Sequence, residues 1–217
     1  MALPTPFTTT TPFLTSVNFT NLLEGTSGII FYPGNALDED AAQVNIMSST
    51  PFESSSKDTS ISANAASSTL IATHTYKLST AINPNTLKGK GIITFGWGIR
   101  GNNNNQGNSA GYIICRLVAN GVTIGEGKSN TRTGTAGAYA ISGAANSTVT
   151  FDITETLLRV GEELSVVFLI YGHRSSGSSG GYIVVGHDPD NNDGAYIKPS
   201  EDDVDTTIKA QVPFKIE

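Results

Sequence analysis

The chain has 217 residues, 38% hydrophobic and 15% charged, with a formal net charge of −6 and an isoelectric point near 5.0. That length suffices for a single β-sandwich with a real core, since such domains reach about 250 residues. No apolar run approaches the roughly 20 residues of a spanning helix, and the 13 lysines and arginines form no basic run, which argues against nucleic acid and anionic membrane as partners.

Residues 1–20 read as an extended N-terminal arm ahead of a single sandwich domain over residues 21–217. Pro4, Pro6 and Pro12 block helix there, and the Thr8 to Thr11 run favours extended backbone. Phe7, Phe13 and Phe19 are spaced along it as interface residues for a neighbouring surface, or for the chain's own domain. The start, Met1 to Phe7, has no basic region and no apolar stretch, so no secretory signal is expected. The sequons Asn18-Phe19-Thr20 and Asn146-Ser147-Thr148 then read as chance.

Gly28-Ile29-Ile30-Phe31-Tyr32 is the first clear strand, closed by Pro33-Gly34, and a short one lies around Gln43 to Met47. The Ser-rich residues 48–68 read as a loop. From Thr69 to Leu78, Leu70, Ala72, His74, Tyr76 and Leu78 share one face, the alternation of a half-buried strand. Ile93, Phe95, Trp97 and Ile99 do the same between Gly91 and Arg100. Tyr112 to Val118 and Val122 to Ile124 flank Asn120-Gly121, the strongest short hairpin signal, because both turn positions need positive φ.

Ala138 to Ile141 is a further strand, and Val149, Phe151 and Ile153 alternate with Thr148, Thr150 and Asp152. Glu155 to Val160 is the one helical stretch predicted. Ser165 to Tyr171 is apolar on both faces and therefore central, followed by strands at Gly181 to Gly186 and Thr206 to Ile216. Pro213 in the last suggests an edge or a bulge. The pattern predicts an all-β, jelly-roll-like antiparallel sandwich of about eight to ten strands.

Cys115 is the single cysteine, which excludes an internal disulfide and a thiolate metal cluster. Ile113, Ile114 and Leu117 around it predict a buried thiol, in a chain made in a reducing cytosol. Gly107-Asn108-Ser109-Ala110-Gly111 matches G-x-S-x-G, but that elbow needs a strand before it and a helix after it, and here an Asn-rich loop precedes and a strand follows. His74, His173 and His187 lack the short spacing of a zinc site. His173 and His187 could flank one hairpin, although polar histidines at strand ends are the plainer reading.

Asp188, Asp190, Asn192 and Asp193 alternate like the start of a calcium loop, which needs oxygen ligands on a tight turn. The glycine, Gly194, falls one place late and Pro199 stands where the final acid belongs, so an Asx-rich turn is the competing reading. The Asn102 to Gln106 run is an uncharged surface loop able to contact glycans or protein.

Asn18 to Gly25 leading into Gly28 to Tyr32, the segment Gly186-His187-Asp188-Pro189-Asp190-Asn191-Asn192-Asp193-Gly194, and Ile208 to Ile216 resemble small virion structural proteins of tailed viruses of bacteria and archaea. The resemblance implies a β-sandwich on the capsid surface, synthesised in the host cytoplasm, that decorates or cements the capsid. A capsid-associated, non-enzymatic protein is therefore the first expectation, with the major capsid protein or other virion proteins as partners and a homo-oligomer as its state. A carbohydrate- or receptor-binding module of a virion fibre or spike is the second, with calcium as the one possible bound group. A hydrolase built around Ser109 is the third.

Overall fold

Alternation over two residues becomes strand wherever one face can be buried. The computed structural model describes residues 28–37, 43–54, 58–78, 85–100, 108–134, 142–177, 180–189 and 208–214. The predicted arm with Phe7, Phe13 and Phe19, the Asn102 to Gln106 run, the strand at Ala138 to Ile141, and Asp190, Asn192 and Asp193 lie outside the described residues.

The described residues form twelve strands: β1 Gly28–Leu37, β2 Gln43–Ser48, β3 Asp58–Ser62, β4 Thr69–Leu78, β5 Asn85–Arg100, β6 Ser109–Ala119, β7 Val122–Lys128, β8 Arg132–Gly134, β9 Ser142–Leu158, β10 Leu164–Arg174, β11 Tyr182–Gly186 and β12 Ile208–Pro213. The protein is all-β. Hydrogen-bonded neighbours run in the order β3-β11-β5-β12-β1-β2-β4-β10-β6-β7, with β9 added to β5 and β8 to β6. Every pairing is antiparallel except β2 with β4, where Ile46 meets Lys77 and Met47 meets Leu78 in parallel, so the sheet is mixed.

The path turns a corner within β1. Gly28 to Phe31 pair with β12, and Tyr32 to Leu37 pair with β2. Pro33-Gly34 therefore does not close the first strand as predicted; the strand continues through it. Corners of this kind are made by strands that change partners, and Pro33, which has no N–H to donate, stands at that change.

The two halves of the path face each other across an apolar core. Ile93, Phe95, Trp97 and Ile99 of β5 are all 0–1% exposed, as their alternation predicts. The Phe95 ring lies 4.9 Å from Phe168 of β10, which is 5.6 Å from Tyr76 of β4. Such aromatic pairs contribute about 0.5–1.5 kcal/mol beyond their burial. At one side β7 closes on β9: a Cβ at Gly125 would stand 2.5 Å from the Phe151 ring, so only glycine lets the two strands approach.

Several expectations change. Glu155 to Leu158 belong to β9 and not to a helix, because pairing of Thr156 to Leu158 with Asn85 to Leu87 of β5 holds the segment extended. β3 lies inside the Ser-rich stretch read as loop; its order comes from ladder bonds to β11, which side-chain pattern does not reveal. β12 lies between β5 and β1, so it is not an edge. Pro213 is tolerated as its last residue, where the ladder to β5 has already ended at Gln211. On β4 the register slips opposite Ile170/Tyr171, which leaves Leu70 48% exposed and packs Ile71 on the core instead. The hairpin at Asn120-Gly121 stands as predicted, with φ of 47° and 78°.

Candidate functional site

Polar side chains gather on the inner side of β4. His74 and Tyr76 are two residues apart and so project to the same face, among side chains that are otherwise apolar. β11 ends at Gly186, and the next residue, His187, brings its ring to 6.3 Å from His74, nearly parallel at 22°. His187 and Asp188 are each 2% exposed, and Tyr76 is fully buried. Asp188 Oδ1 accepts a hydrogen bond from the Ser54 N–H at 3.4 Å. Ser54 is fastened in turn to β1: its hydroxyl donates to the Asn35 carbonyl at 2.7 Å, and the Asn35 N–H donates back at 2.9 Å. Phe52 and Pro189 close over Gly34, where a Cβ would stand 2.6 Å from the Phe52 ring.

Burial sets the electrostatics. Desolvation lowers the His74 pKa below 6.5, so its imidazole is neutral at neutral pH and offers one nitrogen as an acceptor. Neither His74 Nδ1 nor the Tyr76 hydroxyl has a hydrogen-bond partner among the described residues. Burial, helped by nearby Cys115, pushes the Tyr76 phenol up, so it stays protonated and can donate. The arrangement thus offers one acceptor and one donor in a largely dry setting, where hydrogen bonds are strong.

The sites predicted from sequence are scattered. Ser109 opens β6 with its side chain buried, and its hydroxyl accepts the Gly181 N–H at 2.5 Å. The strand runs on from Ser109 to Ala119, with no helix after it. His173 pairs with Ala110 and shares the face of Tyr171, opposite to the Ser109 side. β10 and β11 are not a hairpin, since β11 pairs with β3 and β5; His173 and His187 therefore separate, and His74 is the histidine that His187 meets. Cys115 is fully buried, and burial raises its thiol pKa, as its apolar neighbours predict. Among the described residues no three His, Cys, Asp or Glu side chains are grouped to hold a metal. Of the predicted calcium ligands, only Asp188 is described.

Sequence reasoning missed the His74–Tyr76–His187 grouping. Its one signal was a histidine on the apolar face of an alternating strand. Its partner lies 113 positions along the chain, a separation with no periodicity to betray it.

No protein-family model matches this sequence, and no curated protein does. Solved structures do. An α-amino acid ester hydrolase is similar in fold, with a TM-score of 0.52 at 7% identity over 87% of this chain and 36% of that one. Two structures of a CocE/NonD family hydrolase from Staphylococcus aureus give TM-scores of 0.45 and 0.38, at 9% and 10% identity, covering 85% and 86% of this chain and 36% and 41% of theirs. The chain thus spans 36% to 41% of the length of these hydrolase structures. The expectation of a non-enzymatic capsid-associated protein, with its fibre or spike alternative, is corrected by the α-amino acid ester hydrolase: the solved structure whose fold this chain shares at a TM-score of 0.52 is a hydrolase.

Proposed function

We propose that this chain takes part in carboxylic ester hydrolysis as the β-domain of a hydrolase, in a jelly-roll-like sandwich. The observation that carries this reading is the fold likeness to the α-amino acid ester hydrolase, which takes in 87% of this chain but only 36% of that one. The reading assigns this chain to a β portion of such an enzyme and leaves the larger share of the enzyme outside the likeness. Within the chain, the His74 end is the place for a contribution to the reaction. A neutral imidazole there accepts a hydrogen bond or a proton, while Tyr76 lies buried beside it as part of the packing that keeps the setting dry.

The test uses the protein purified from its native source with whatever it is bound to. The fraction is assayed against α-amino acid esters and simple carboxylic esters, beside the same preparation carrying His74→Ala. Ester cleavage that co-elutes with the chain, with a KM or kcat altered in the variant, supports the reading. Absence of ester cleavage in that fraction overturns it.

A further inference from the structure

The three most exposed large apolar side chains among the described residues lie on β7, at the end of β9 and in the turn that follows it. Val160 is 72% exposed, Val122 64% and Leu157 54%. Val122 opens β7 just after the Asn120-Gly121 turn, Leu157 is the penultimate residue of β9, and Val160 stands in the turn between β9 and β10. Val122 and Leu157 stand out because other apolar residues of the same strands are buried, Ile124 at 5% and Leu158 at 1%.

Val122 and Leu157 line a cavity of about 290 Å³ between β7 and β9. That is near the lower end of small-ligand sites, which start at roughly 300 Å³. Its buried lining is apolar, Ala119 and Ile124. Its polar lining is Asn120, Thr123, Thr154, Thr156 and Glu162, whose carboxylate is the one charged group there. The Thr156 hydroxyl already donates to the Thr154 carbonyl at 2.8 Å, so its remaining capacity is to accept. Glu162 uses Oε2 to accept the Arg159 N–H at 2.8 Å, which leaves Oε1. Neither Lys nor Arg lines the cavity. Neighbouring Glu163 is paired with Lys77 at 2.9 Å.

We propose that this cavity binds a small amphipathic amine: a single-ring or short aliphatic body against Val122, Ile124 and Leu157, with its ammonium on Glu162 and the threonine hydroxyls. An ammonium brings three donors and no acceptor, which suits a lining whose hydroxyl and carboxylate oxygens can accept and whose one charge is negative. The site is separate from the His74 end, since β7 lies three strands from β4, about 14 Å away. Its test is therefore independent of the hydrolase reading.

The experiment titrates the full chain, followed by ligand-observed NMR, with three probes that share one apolar body: phenethylamine, 2-phenylethanol and phenylacetate. The amine binds tightest, by about threefold or more over the alcohol, and the acid weakest. Glu162→Gln abolishes the preference for the amine while keeping an acceptor for the Arg159 N–H, and Leu157→Ser weakens the amine and the alcohol together. Saturation by phenylacetate as readily as by phenethylamine overturns the proposal. So does an amine preference that survives Glu162→Gln, or failure of phenethylamine to saturate at millimolar concentration.

Discussion

Removing the Tyr76 hydroxyl should stabilise this protein, the reverse of what most core substitutions do. Tyr76 is fully buried and packs edge-on against Phe168 at 5.6 Å. Its hydroxyl has no hydrogen-bond partner among the described residues. A buried polar group without a partner costs about 1–3 kcal/mol in desolvation. Tyr76→Phe deletes that group and keeps the ring, its rotamer and its contact with Phe168, leaving a gap of a single oxygen. The loss of packing around one atom offsets part of the gain, so the net expectation is about 1 kcal/mol of added stability. Urea unfolding followed by the emission of Trp97, the single tryptophan and itself fully buried, reads the change directly. The midpoint rises with an unchanged slope, and the melting temperature climbs by about 2–4 °C. A variant less stable than the parent by 1 kcal/mol or more would refute the reasoning, since it would mean that the hydroxyl is hydrogen-bonded in solution, to an internal water above all.

Three further outcomes follow from the same structure. The folded-state pKa of His74 lies below its ordinary 6.5, so its contribution to stability is complete above about pH 6.5 and is lost as pH falls through the window beneath it; in His74→Leu the difference between urea midpoints at about pH 7.5 and about pH 5 shrinks. A Cβ at Gly180 would collide with the Ala63 carbonyl, so Gly180→Ala costs about 1–3 kcal/mol in the same assay and also strains the bond from the Gly180 N–H to Asn64 Oδ1 at 2.8 Å. Arg132 stacks 4.6 Å from the centre of the Trp97 ring and donates to the Trp97 carbonyl and, at 3.1 Å, to Ser147 Oγ. Arg132→Ala should cost about 1–3 kcal/mol and red-shift the Trp97 emission, while Arg132→Lys, which lacks the planar fork, recovers less than half of the loss.

How far the sequence reaches is clearest strand by strand. β5 was legible because Ile93, Phe95, Trp97 and Ile99 carry burial at a period of two, and β6–β7 because Asn120-Gly121 supplies the positive φ that its turn demands. Both signals are local: each is written within a few residues and needs no knowledge of what lies opposite. The all-β class follows from such segments alone. β3, the passage of β1 through Pro33-Gly34, the slip that trades Leu70 for Ile71, and the extended state of Glu155 to Leu158 were not legible, since each is decided by the strand alongside.

The same division runs through the sites. The sequence by itself determined that Cys115 is buried, that Ser109 leads into a strand and not a helix, and that one face of β4 mixes His74 and Tyr76 with apolar neighbours. Only the tertiary structure decided that His187 meets His74 and not His173, and that Val122, Leu157 and Glu162 surround one cavity. Side-chain direction is a property of the local backbone, which the sequence carries. Which two distant strand ends share a space depends on how the sheet path folds back on itself, and that is fixed by packing summed over the whole core.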